Sequence, residues 1–118
     1  MRPMTAPPEW RCQAADLPPG RTLAFAVACG GRPVQAFVVN HQGTYGAYVN
    51  RCPHTGTTLD LWPNEFLSDD GRWLICATHG AVFEPASGAC VAGPCAGDAL
   101  TPLPLRLEGE ALVVSGLP

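Results

Sequence analysis

Lysine is absent from this chain of 118 residues: all seven of its cationic residues are arginine, and they are scattered from end to end. That pattern reads as compositional bias rather than chemistry. Net charge is −3 and no basic stripe is visible, so nucleic acid is not an expected partner. Charged residues make up only 14% of the chain while apolar ones reach 47%, which excludes an extended disordered chain. No apolar run is long enough to span a bilayer. The stretch from Met1 to Trp10 holds three prolines and Glu9, unlike a secretory signal. Leu23 to Cys29 imitates a lipoprotein cleavage site, but it starts far into the chain and follows Glu9 and Asp16, so it reads as a strand. Sustained helical periodicity is missing as well.

What the chain does have is turns and alternation. Gly and Pro stand at 13 each with no repeat period, which suits many short strands. Leu23, Phe25 and Val27 fall on one face at period two. Gly30-Gly31 reads as a hairpin turn into Val34–Val39, and His41-Gln42-Gly43 as a second turn into Tyr45–Val49. Glu108-Gly109 turns Leu103–Leu107 back into Ala111–Val114, a hairpin expected to pair with this meander. Asp69-Asp70-Gly71 joins Phe66-Leu67 to Trp73–Ile75, Pro85–Gly88 forms another turn, and at most one short turn is expected near Asp60–Glu65. The expectation is an all-β chain, one domain over residues 1–118, with a small metal-binding subdomain at about 51–97 inserted into a larger strand framework.

Two short clusters carry the chemistry: Cys52-Pro53-His54-Thr55-Gly56 and Cys76-Ala77-Thr78-His79-Gly80. Each offers a thiolate and an imidazole in a tight bend, and glycine follows near or directly after each histidine. Glycine allows backbone conformations closed to other residues and lets amide N–H groups approach a bound sulfur. Pro53 stiffens the first bend. A donor set of two thiolates and two imidazoles suits a Rieske-type [2Fe–2S] centre, in which two histidines replace two cysteines on one iron. Structural zinc can use the same donors, but mixed C-x-H and C-x-x-H pairs with trailing glycines are unusual for it.

With these motifs the chain resembles the Rieske iron–sulfur family, and more closely its small soluble ferredoxins. The resemblance is specific from Asn50 to about Gly97, through Leu59-Asp60, His79–Phe83, Ser87–Cys90 and Gly93-Pro94. It implies Rieske-like antiparallel sheets and one [2Fe–2S] cluster, with Cys52 and Cys76 on the buried iron and His54 and His79 on the outer one. It places Gly93-Pro94 in a third loop that shields the cluster. High-potential relatives carry an extra cysteine in each ligand loop, joined as a disulfide, where this chain has Thr57 and Thr78. They also place serine and tyrosine hydroxyls near the cluster, where Ala81 and Phe83 stand here. The loss of those hydrogen bonds implies a potential at the low end of the Rieske range, about −150 mV rather than about +300 mV.

The resemblance implies a one-electron carrier, not a catalyst, passing electrons from a flavoprotein reductase to a terminal oxygenase through weak encounters. The alternative is a small electron-entry or structural subunit of a larger reductase such as nitrite reductase. The chain is not expected to be the oxygenase itself: beyond the motifs only His41 is left, too little for a two-histidine, one-carboxylate iron site. His41 reads as a solvated turn residue. A cytoplasmic setting with free thiols is expected for Cys12, Cys29, Cys90 and Cys95. Cys90 and Cys95 read as small fillers beside the third loop, a short disulfide being the alternative. Trp73 reads as core; Trp10 and Trp62 could pack or line a docking face, and Glu65, Asp69 and Asp70 read equally as a docking site for a basic partner or as a solvated hairpin tip.

Overall fold

The structure, a computed structural model, describes residues 7–51, 67–68, 71–76, 81–93 and 98–117. The short turn expected near Asp60–Glu65, Asp69-Asp70 and Trp62 lie outside the described residues.

Among the described residues, nine antiparallel strands form three sheets of three. The central sheet is the expected meander, β2 (Arg21–Cys29), β3 (Arg32–His41) and β4 (Thr44–Val49). Gly30 and Gly31 close the first hairpin with φ of +60° and +79°, the left-handed pair that a two-residue turn needs to match strand twist. The second hairpin pairs His41 with Thr44. His41 is thus the last residue of β3, half-buried, rather than a solvated turn residue.

A second sheet, in the order β1-β9-β8, joins β1 (Glu9–Gln13) to β8 (Leu105–Glu108) and β9 (Ala111–Ser115). This corrects one expectation. The C-terminal hairpin pairs with an N-terminal strand, Trp10 opposite Val114, and not with the meander. A single bridge, Tyr48 to Pro102, links the meander to the segment ahead of β8. Trp10 lies flat on Phe25 with ring centroids 4.1 Å apart, fastening this sheet to the central one. On its exposed face Arg106 donates to Glu9 at 2.9 Å and to Glu108 at 2.6 Å, and Arg11 donates to Glu108 at 3.2 Å.

The third sheet is small: β5 (Leu74–Ile75), β6 (Val82–Phe83) and β7 (Cys90–Ala92). Ahead of it, Leu67 is bridged to Leu74 and the Gly71 N–H donates to the Ser68 carbonyl at 2.8 Å. The Pro85–Gly88 turn forms as expected, closed by the Gly88 N–H on the Glu84 carbonyl at 2.7 Å.

The central sheet is covered on both faces. Ala36 and Val38 of β3 pack with Leu17, Phe25, Leu112 and Val114 toward the second sheet. Phe37 and Val39 pack the other way, with Leu74, Cys76, Phe83 and Leu100. Every residue from Ala36 to Asn40 is therefore buried. Asn40 is tolerated there because its amide donates to the Leu17 carbonyl and its oxygen accepts from Gly43 N–H, both at 2.8 Å.

Candidate metal centre

Of the expected ligands, Cys76 is described; Cys52, His54 and His79 lie outside the described residues. Among the described residues no three His, Cys, Asp or Glu side chains form a metal-binding group. The approaches to both motifs are nevertheless well defined.

The first motif is entered from β4. The Val49 N–H donates to Thr101 O at 2.9 Å and the Asn50 N–H to Gln35 O at 2.8 Å, so the chain is tied on two sides just before Cys52. Asn50 itself is 6% exposed. The second motif is the connection between β5 and β6. Leu74 pairs with Phe83 and Ile75 with Val82, and the Cys76 N–H donates to the Ala81 carbonyl at 2.9 Å. Residues 77–80 therefore leave and re-enter a closed ladder.

Cys76 stands at that point fully buried, and its sulfur is not in a disulfide. A reduced thiol in a dry pocket is a suitable soft donor for iron or zinc. Ala81 and Phe83 beside it are also fully buried, and neither carries a hydroxyl. The base of the expected third loop is closed by the Cys90 N–H on Asp98 O at 2.9 Å and by a bridge between Ala89 and Ala99. Gly93, where that loop begins, has φ of +93°, and Pro94 lies outside the described residues.

Two expectations need correction. Cys90 is disulfide-bonded rather than a free filler, and its partner lies outside the described residues. Cys12 and Cys29 are free, as expected. Burial, with Asp16 nearby, pushes the Cys12 thiol up from its ordinary value. Trp73 is 38% exposed. It lies in the bend just ahead of β5, next to Leu74, which faces the core.

Tyr48 was not legible as a site residue. It is 2% exposed on β4, and its hydroxyl donates to the Pro85 carbonyl at 2.7 Å. Burial, with Glu84 adding to it, pushes its phenol up to about 12. A signal did exist: a strand tyrosine expected to be buried must find a partner for its hydroxyl.

Comparison with known proteins agrees with this arrangement. The family described as Rieske [2Fe-2S] domain matches residues 9–113. Oxidoreductase NdmD of Pseudomonas putida is 37% identical over 66 residues, 56% of this chain, and the chain spans only 10% of that relative's length. A ferredoxin from Sphingomonas yanoikuyae B1 superimposes with a TM-score of 0.65 at 25% identity, over 99% of this chain and 100% of its own. The ferredoxin of carbazole 1,9a-dioxygenase from Nocardioides aromaticivorans IC177 gives 0.66 at 21% identity, over 98% and 99%. A chain from a complex of reduced oxygenase and oxidized ferredoxin in carbazole 1,9a-dioxygenase gives 0.70 at 21% identity, over 93% and 94%. With paired Cys/His motifs, a fully buried cysteine at the second of them, and a family match that runs through both, this chain belongs to the Rieske [2Fe-2S] domain family.

Proposed function

We propose that this protein is a one-electron carrier whose [2Fe–2S] cluster is held by Cys52, His54, Cys76 and His79. The observation that carries the reading is the convergence of the segments flanking both motifs. Tyr48, four residues before Cys52, shares one hydrophobic cluster with Cys76 and Ala81, which bracket the second motif. Two thiolates and two imidazoles are the donor set such a cluster requires.

When bound, the cluster accepts and returns one electron. The protein's part is to fix its ligands, to keep water away from the buried thiolate of Cys76, and to tune the potential. The whole chain, 1–118, acts as one Rieske domain, with the segment from about 51 to 97 as its cluster-binding part.

A flavoprotein reductase is the proposed electron donor and a terminal oxygenase the acceptor. The solved relatives named as ferredoxins of an oxygenase system support this, as does the relative named an oxidoreductase. A cytoplasmic setting fits a chain in which, among the described residues, no helix is long and apolar enough to cross a membrane.

Anaerobic purification followed by iron and sulfide assay tests the cofactor, and EPR of the reduced protein tests its type. Colourless protein lacking iron and sulfide after reconstitution overturns the reading. His54→Cys exchanges a neutral ligand for a charged one, so the midpoint potential falls; an unchanged or raised potential refutes the ligand assignment. Reduction by a flavoprotein reductase, with support of oxygenase turnover, tests the relay.

A further inference from the structure

Tyr48 joins two parts of the molecule that the cluster must bridge. Its main chain belongs to β4, which runs directly into the first motif. Its hydroxyl reaches the carbonyl of Pro85, in the turn between β6 and β7 of the small sheet, at 2.7 Å. Four residues separate Tyr48 from Cys52, a span of at most about 14 Å for a fully extended chain. On the other side, the Pro85 turn follows β6, whose preceding residue Ala81 accepts the Cys76 N–H at 2.9 Å. Both paths from the Tyr48 hydroxyl to a proposed ligand are short and tied by backbone hydrogen bonds.

The joint is closely fitted. A Cβ on Gly88 would lie 2.7 Å from Tyr48 Cε1, and a Cβ on Gly46 would lie 2.9 Å from the Pro85 carbonyl oxygen. The chain beyond the small sheet closes over the same place, with Leu100 N–H on Gly88 O at 2.8 Å and Pro102 bridged to Tyr48. Packing alone requires only an aromatic ring here. The hydroxyl supplies a directional tie between the two sheets.

We propose that Tyr48 is a positioning residue for the cluster: through the Pro85 carbonyl its hydroxyl sets the separation between the segment leading to Cys52 and the β5–β6 ladder that carries Cys76. This rests on the ligand reading given above. The hydroxyl takes no part in electron transfer; it holds the two ligand-bearing segments at one spacing.

The test uses the cluster-loaded protein and three variants. Tyr48→Phe keeps the ring and removes the tie. Gly46→Ala keeps the tyrosine and forces a methyl against the Pro85 oxygen. Leu112→Val is the control, because it trims a fully buried side chain on β9, in the core on the other face of the central sheet. Iron release to a chelator is followed well below the thermal transition, together with the EPR line shape of the reduced state. Loss of one buried hydrogen bond corresponds to about fivefold to tenfold faster release from Tyr48→Phe. Gly46→Ala is expected to release at least as fast, and both to broaden the EPR lines. Leu112→Val is expected to lower the thermal midpoint while keeping the wild-type release rate within about twofold, since it lies outside the joint.

Release from Tyr48→Phe no faster than from the control at matched loss of thermal stability overturns the proposal. So does an EPR spectrum identical to wild type with unchanged release. If Tyr48→Phe does not fold, Gly46→Ala decides by the same readings. Wild-type protein that takes up no iron and sulfide overturns the ligand reading itself, an outcome distinct from any difference among variants.

Discussion

Val38 and Val39 are neighbours on β3, both fully buried, yet they face opposite cores. Truncating each to alanine removes the same atoms. At about 0.8 kcal/mol per buried methylene plus the term for the void left behind, either change costs about 2–3 kcal/mol. For a chain of this size that lowers the melting temperature by about 10 °C in both variants. The consequences for metal retention should differ. Val39 packs with Cys76, Leu74 and Phe83, so the void in Val39→Ala opens beneath the small sheet. If that sheet detaches locally, the whole penalty falls on its docked state, and the open population rises by about 30-fold to 150-fold. Val38→Ala weakens contacts with Leu17, Phe25 and Leu112 and leaves that local equilibrium alone. Chelator-driven bleaching at 20 °C below the lower transition, about two Tm shifts away, separates the cases. Expected is fast release from Val39→Ala and near wild-type release from Val38→Ala at matched loss of stability. Equal release rates would show that the two cores open only together, and the division into framework and cluster sheet would lose its energetic meaning.

Three further outcomes follow from charge and hydroxyl placement. Hydrogen bonds from Arg106, with Arg11 assisting, hold the Glu9 and Glu108 carboxyls below their ordinary 4.5. Their stabilising contribution is complete above pH 4.5 and is lost as pH falls through the lowered values, so amide exchange in β1 should accelerate in acid, and Arg106→Gln should flatten that dependence. Phenolate absorbance of wild type minus Tyr48→Phe should titrate at about 12; a midpoint near 10 would mean that the hydroxyl is solvated. The midpoint potential should lie at about −150 mV, and Ala81→Ser should raise it by restoring a donor; a wild-type value well above zero refutes the reading of positions 81 and 83.

The three long hairpins were legible because their turns require glycine and their strands alternate. Gly30-Gly31 and Gln42-Gly43 hold positive φ, and Leu23, Phe25 and Val27 do face one core. What escaped was set by partners distant in sequence. β1 offers only Trp10 and Cys12 as inward residues, and its partner Val114 lies at the other end of the chain. A pattern that short carries little weight until the partner strand is in place. The strand Val34–Val39 was visible, but not that both faces are buried, because the second covering layer is supplied by the small sheet. Trp73 was assigned to the core as the start of a strand with Leu74 and Ile75, yet it stands in the bend ahead of β5, where its ring is partly exposed. For the metal centre, residue types and spacing carried the ligand assignment, and the structure adds the burial of Cys76 and the closed ladder around it. The bond of Cys90 and the tie made by Tyr48 depend on what approaches them in space.

The small sheet explains why those approaches matter. β5 and β6 have two residues each and β7 has three, with a register shift between Val82 and Phe83. Ladders this short do not stand alone in water. Leu74, Phe83 and Cys90 turn inward and complete a core whose other half is Phe37, Val39 and Tyr48 of the central sheet. The central sheet is therefore the common wall of two cores: one fixes the framework, and the other fixes the cluster sheet to it. On the proposed ligand assignment, packing across that wall sets the spacing between the segment leading to Cys52 and the ladder that carries Cys76. A change at the wall then displaces one of these segments relative to the other. Metal retention should accordingly be more sensitive to buried residues on the Phe37–Val39 face than to exposed residues of comparable distance from Cys76.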